Sequence, residues 1–249
     1  MRAAPPYFTN LGPFHALFSR GLPILMYHKL GPRPSGVRLK GLYLGESLFR
    51  RQLHQLRAAG FRSAMPGDVG ANADAQPAVV ITFDDGFRNV FEHGMQALVE
   101  QGFQAIEYLV AGELGGSNRW EVAEGEIPAP MMDAGQVRAW LRAGHFIGSH
   151  TLSHPWLTRL PEADAREEIA ASKKRLEDAF GVAVDHFCYP YGDWNPRVRD
   201  LVQEAGYRTA VTTEFGVNDG TGDPFALRRI LARYQSRSPR ALWRRLQRR

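Results

Sequence analysis

Val79-Val80-Ile81-Thr82-Phe83 is an uncharged, largely β-branched run that stops abruptly at Asp84-Asp85-Gly86. Such a run reads as a strand buried on both faces, the kind that parallel sheets contain. Its end is harder to account for. Adjacent carboxylates repel each other and lose solvation beside a core, so folding alone gives no reason for them. A metal ion resolves the conflict, with one carboxylate as ligand and its neighbour free to act as a base. A solvated Asp-Asp-Gly turn fits the same three residues. Both readings stand at this point.

A second apolar run, Phe146-Ile147-Gly148, reaches Ser149-His150-Thr151-Leu152-Ser153-His154-Pro155. On a helix, histidines four apart share one face. Pro155 and the strand-like approach argue instead for a strand end that runs into a loop. Two histidines and one aspartate form a three-ligand set with a position left open for water, as in catalytic zinc sites. A lone His-x-x-x-His carries little weight, but beside a second strand end bearing Asp-Asp it carries more.

Strand and helix signals alternate along the chain. Residues 22–28, 61–65, 105–110, 186–190 and 209–213 read as strands in addition to the two motif runs. Helical spacing marks residues 46–59, the Phe91-Met95-Leu98-Val99 stripe closed by Gly102, a helix capped by Asp133 and ended by Gly144, and residues 161–180 and 195–205. The charged residues of 161–180 read as a solvated face. With no repeat and no linker, this order argues for parallel βαβ units closed into a barrel. Both motifs then fall at strand C-terminal ends, where barrel enzymes place their chemistry. Residues 112–130 show no periodicity and are long for a connection. They are the expected wall of a substrate groove, with Trp120 either a stacking platform for a sugar or a residue that packs the loop onto the barrel.

Phe8, Leu11, Phe14, Leu17 and Phe18 recur at helical spacing within an N-terminal extension, residues 1–21. Packing against the barrel is the expected role, and a membrane-interface helix the alternative. The single cysteine, Cys188, excludes an internal disulfide. No apolar span is long enough to cross a bilayer, and the first residues lack the apolar core of a secretory signal, so a cytoplasmic location is expected. Much of the net charge of +5 sits in a basic tail, residues 238–249. That placement and the absence of a binding motif argue against nucleic acid as a partner. The tail fits either packing on the barrel or peripheral contact with anionic lipid at the inner membrane face.

Thr82-Phe83-Asp84-Asp85-Gly86, then His150-Thr151-Leu152-Ser153-His154, then Phe187-Cys188-Tyr189-Pro190-Tyr191-Gly192 appear in an order and separation that resemble the NodB-homology polysaccharide deacetylases. The resemblance covers residues 22–230. It implies one NodB-like α/β domain over residues 1–249, a distorted (β/α) barrel of about seven parallel strands. It also implies metal-dependent hydrolysis of the N-acetyl group of an N-acetylated sugar, in a polysaccharide, an oligosaccharide or a lipid-linked glycan. By resemblance, Asp85, His150 and His154 hold a divalent metal, zinc by default, although nickel, cobalt or iron can serve. Asp84 is then the general base, and the backbone N–H of Tyr191 helps hold the oxyanion.

Two positions depart from the family pattern. Many members carry a C-terminal histidine as general acid, whereas Ala226-Leu227-Arg228-Arg229-Ile230 has none. His28, closing a Met26-Tyr27-His28 strand that resembles the branch acting on biofilm poly-N-acetylglucosamine, is the substitute, with a purely structural histidine as the rival reading. Cys188 stands where many members have the arginine that orients the catalytic aspartate, leaving Arg228 or Arg229 to approach from a neighbouring strand. Cys188 itself is expected to be buried and inert. Asp193 and Trp194 are candidates for lining the groove. Two other functions fit the same residues: hydrolysis of a small amide or imide with the same metal, or sugar binding by a catalytically degenerate barrel. The motifs say nothing of oligomeric state.

Overall fold

In the computed structural model, which describes residues 5–70 and 76–233, the uncharged run forms the longest barrel strand. The strands are β1 (Ile24–Tyr27), β2 (Ala78–Asp85), β3 (Ile106–Leu109), β4 (Phe146–Ser149), β5 (His186–Cys188), β6 (Thr209–Phe215) and β7 (Leu227–Leu231). Each pairs in parallel with the next, and β7 returns to β1 through Leu25 opposite Ile230, so seven strands close on themselves. A short strand, Arg62–Ser63, adds to the start of β2. Helices α1 (Glu46–Ala58), α2 (Arg88–Gln101), α3 (Ala134–Arg142), α4 (Glu162–Phe180) and α5 (Pro196–Glu204) occur along the chain between strands.

Strand alternation sorts the side chains into two buried sets. Leu25, Val79, Ile81, Phe83, Ile147 and Phe187 share a core with helix residues such as Leu53, Leu98, Trp140, Ile169 and Leu176. Ile24, Val80, Ile106, Tyr108, Cys188, Val211 and Leu227 form a second cluster that fills the barrel. Burial on both faces is why β2 carries no polar alternation before its end. Gly148 has a matching reason, because a Cβ there would overlap the Tyr108 ring that fills the barrel beside it.

Helix ends follow the expected signals. Asp133 accepts from the Gln136 N–H at 2.8 Å, while the Gln136 side chain returns to the Asp133 N–H at 3.0 Å, a full capping box for α3. Gly102 closes α2 at φ 68°. The aromatic stripe near the N-terminus packs rather than standing free: Phe8, Phe14 and Phe18 are buried, and the Phe8 N–H donates to the Leu231 carbonyl at 2.9 Å. No described helix is long and apolar enough to cross a membrane. The basic segment 238–249 lies outside the described residues.

Two elements differ from the sequence expectation. Residues 112–130 contain a short helix, Arg119–Ala123, in place of an irregular connection. The last strand, β7, had no strand signal, because Arg228-Arg229 breaks its apolar run. Its register against β6 also shifts, from Leu227 opposite Val211 to Arg229 opposite Phe215.

His145, between α3 and β4, is 3% exposed and neither ring nitrogen has a hydrogen-bond partner. It lies on Trp140 with ring centres 4.2 Å apart, and burial pushes its pKa from 6.5 down to about 4. The folded protein therefore keeps this ring neutral where the unfolded chain protonates it. Stability is predicted to fall as pH drops from about 6.5 towards 4. His145→Phe is expected to flatten part of that slope in thermal denaturation, with His186, also depressed to about 4, supplying the remainder.

Candidate metal centre and catalytic pocket

The two motif strands end at the same rim of the barrel, and the chain at or just beyond their ends leaves ordinary strand geometry. Asp85, Thr151, His154 and Tyr191 are the only non-glycine residues with positive φ among those described, at 83°, 68°, 65° and 60°. Left-handed backbone disfavours side-chain-bearing residues, so four such positions at one rim mark a place where the fold imposes the conformation.

The His150–His154 loop is held from several sides. The Thr151 hydroxyl accepts from the His154 N–H at 2.9 Å. Glu168, from α4, accepts from the Leu152 and Ser153 N–H groups and from the Ser153 hydroxyl at 2.6–3.0 Å. The sequence reading placed the charges of this helix in solvent, and Glu168 departs from it. No spacing rule distinguishes it from its charged neighbours on α4.

His150 and His154 both turn Nε2 towards Asp85 Oδ1, each at 3.4 Å, and all three side chains are at most 5% exposed. Their candidate ligand atoms lie within 4.8 Å of one another. His150 Nδ1 donates to the Cys188 carbonyl at 2.7 Å, which leaves Nε2 facing the carboxylate. Without a cation that nitrogen meets the carboxylate as an N–H donor, and once deprotonated it offers its lone pair to an ion placed between them. The donor set therefore fits a metal ion, as one carboxylate and two imidazoles would in a zinc centre. Burial pushes the Asp85 carboxyl up, but the two imidazoles facing it prevail and hold it well below the usual carboxylate range. A second grouping, Asp84 with His150 and Cys188, also meets the spacing for a metal. A guanidinium occupies that side.

That guanidinium belongs to Arg229. It is 1% exposed and donates to both oxygens of Asp84 at 2.7 Å, to Thr82 Oγ1 at 3.2 Å and to Cys188 Sγ at 3.2 Å. Its Nε donates to the Thr212 carbonyl at 2.8 Å, beside the register shift of β6 and β7. The arginine missing at position 188 is thus replaced from two strands away, and the small Cys188 side chain leaves room for it. Arg228 points to solvent. Alternation from the inward Leu227 selects 229 over 228, a signal legible once β7 is known to be a strand. Burial pushes the Asp84 carboxyl up, but the charge and hydrogen bonds of Arg229 outweigh it and hold the group below its usual range. Cys188 is fully buried, and burial raises its thiol, which keeps it neutral.

His28 Nε2 lies 3.8 Å from Asp84 Oδ2, and its side chain is 16% exposed. It faces the same pocket from β1. Tyr191 presses its ring edge on His154 at 4.5 Å and stacks flat on Trp156 at 4.1 Å. The turn spends the N–H groups of Gly192 and Asp193 on the carbonyls of Tyr189 and Pro190. Trp120 stacks on His154 at 4.7 Å, so the ring packs against a candidate ligand itself. Asp193 accepts from the Thr158 N–H and hydroxyl and braces the loop rather than lining the groove. Trp194 packs over Tyr189. Sequence reading missed Glu107, fully buried on β3. Burial first, then the charges of Asp84 and Asp85, hold its carboxyl well above the usual range.

Residues 71–210, more than half of the chain, match the family model described as polysaccharide deacetylase. The chain belongs to that family. It is 26% identical over 214 residues to YxkH of Bacillus subtilis (strain 168), whose name places it among polysaccharide deacetylases, a match covering 84% of this chain and 70% of that one. IcaB from Ammonifex degensii superposes with a TM-score of 0.75 at 25% identity, over 90% of this chain and 97% of that one. PplD, a Streptococcus pyogenes deacetylase solved with acetate, has the same fold, with a TM-score of 0.74 at 21% identity and the same coverage of both chains. Shorter matches to chitin and peptidoglycan deacetylases span between 16% and 34% of those proteins.

Arg229→Met leaves Asp84 buried without its partner. A loss of about 3–5 kcal/mol of stability is expected at neutral pH, shrinking in acid as Asp84 takes up a proton. Denaturant titration at two pH values checks it. The acid limb of any pH–rate profile governed by Asp84 should move to higher pH in the same variant.

Proposed function

We propose that this chain removes the acetyl group from an N-acetylated sugar, with a divalent metal, zinc first, held by Asp85, His150 and His154. The observation that carries the reading is a single buried cluster in which this ligand set lies beside an aspartate paired with Arg229. When bound, the metal lowers the pKa of its water and polarises the acetyl carbonyl.

The chain's own groups supply the proton traffic. Asp84 takes a proton from the attacking water, whose oxygen joins the acetyl carbon. His28, across the pocket, gives a proton to the sugar nitrogen as the carbon–nitrogen bond breaks, leaving acetate and a free amine. The Tyr191 N–H, in its left-handed turn, is the donor proposed for the oxyanion. The Met26-Tyr27-His28 strand end and the lack of a histidine in 226–230 support a substrate of the poly-N-acetylglucosamine type.

Acetate release from N-acetylglucosamine oligomers, before and after chelation, tests the reading. Chelator-sensitive release is the expected result. Bound metal without release points to a small amide or imide substrate, and neither metal nor release points to a sugar-binding barrel that has lost catalysis.

Three variants divide the roles. Asp84→Asn is expected to retain metal while turnover falls about 10²–10⁴-fold, and His28→Ala to lose a similar factor with metal retained. His150→Ala should lose stoichiometric metal, read by elemental analysis.

A further inference from the structure

A ligating imidazole ordinarily donates its second ring N–H to a carboxylate or carbonyl, which fixes the ring. His150 does so through Cys188. His154 does not: its Nδ1 is buried and has no hydrogen-bond partner. Its ring is held by aromatic faces instead. Trp120 stacks on it at 4.7 Å with 23° between planes, and Tyr191 meets it edge-on at 75°.

Trp120 belongs to the short helix Arg119–Ala123, which has little length of its own to be stable. The next residue, Glu121, is 6% exposed and its Oε2 lies 2.7 Å from Nζ of Lys29, itself 1% exposed. Asn118 donates to the same carboxylate oxygen, and its own side-chain oxygen accepts from the Ala129 N–H at 2.6 Å. Lys29 follows His28 directly and lies 4.1 Å above the centre of the Phe87 ring. One buried ion pair thus ties the strand end that carries His28 to the segment that carries Trp120. A buried pair contributes little net stability after desolvation, so fixing a geometry accounts for it better than strengthening the fold.

We infer that Trp120 and the Lys29–Glu121 pair are positioning residues of the metal centre. The pair fixes Trp120, and Trp120 holds the His154 imidazole in the orientation a ligand needs. The inference rests on the metal reading above.

Zinc affinity, measured by competition with a chromophoric chelator, tests it without any substrate, alongside the absorption spectrum of the cobalt-loaded protein. Trp120→Leu keeps apolar bulk but removes the flat face, and zinc binding should weaken about 10–100-fold with an altered cobalt spectrum. Trp120→Phe should stay within about threefold of the parent. Lys29→Met should weaken zinc in the same direction. The Lys29→Met/Trp120→Leu double variant should bind no more weakly than Trp120→Leu alone, because the two act in series.

Unchanged zinc affinity in folded Trp120→Leu overturns the inference, as do losses that add in the double variant. If Trp120→Leu does not fold, Glu121→Gln, which retains the Asn118 hydrogen bond, decides: weaker zinc binding supports the inference and parental affinity overturns it. A parent protein that binds no zinc removes the metal reading and this inference together. Parental zinc binding with an indifferent Trp120→Leu removes this inference alone.

Discussion

The contact on which the pocket depends is the pair of hydrogen bonds from Arg229 to Asp84. An ionised carboxylate nearly out of water is costly, and here a second one, Asp85, follows it directly in the chain. Arg229 meets both oxygens of Asp84 in the forked geometry that suits a carboxylate, and its remaining donors are taken by Thr212, Thr82 and Cys188. The charge of Asp84 is therefore balanced within the protein, whereas Asp85 is left for the two histidines. Two adjacent aspartates of the same strand acquire opposite assignments because their side chains point to different partners.

Much of the fold could be read in the sequence because burial on both faces leaves a plain mark. The β2 run, the glycine that ends α2 and the capping box of α3 each state a local preference that the fold keeps. β7 could not be read this way. Its inward arginine belongs to the site rather than to the core, so the strand carries a charge where the pattern calls for an apolar residue. The Arg119–Ala123 helix was hidden for a related reason: it is too short for a period and is fixed by partners distant in sequence.

The candidate site was legible in its residue types and not in its supports. Asp84, Asp85, His150 and His154 could be picked out because two polar strand ends in one chain weigh against a plain Asp-Asp-Gly turn and a chance histidine pair, and they do converge. Glu168, Glu107, Lys29 and Glu121 are ordinary charged letters in the sequence. Only their burial and contacts distinguish them from solvated neighbours. The guanidinium that the resemblance expects from position 188 reaches Asp84 here from position 229 on another strand.

Synthesis runs from the N-terminus, and this gives the position of Arg229 a consequence for biogenesis. A chain still emerging from the ribosome holds Asp84, Asp85 and both histidines long before it holds β7, the strand that both closes the barrel and supplies the guanidinium. Until then β1 lacks one neighbour and Asp84 is without its counter-charge. Barrel closure and charge balance are thus completed together, in one late event, and a nascent chain stopped before residue 229 has neither.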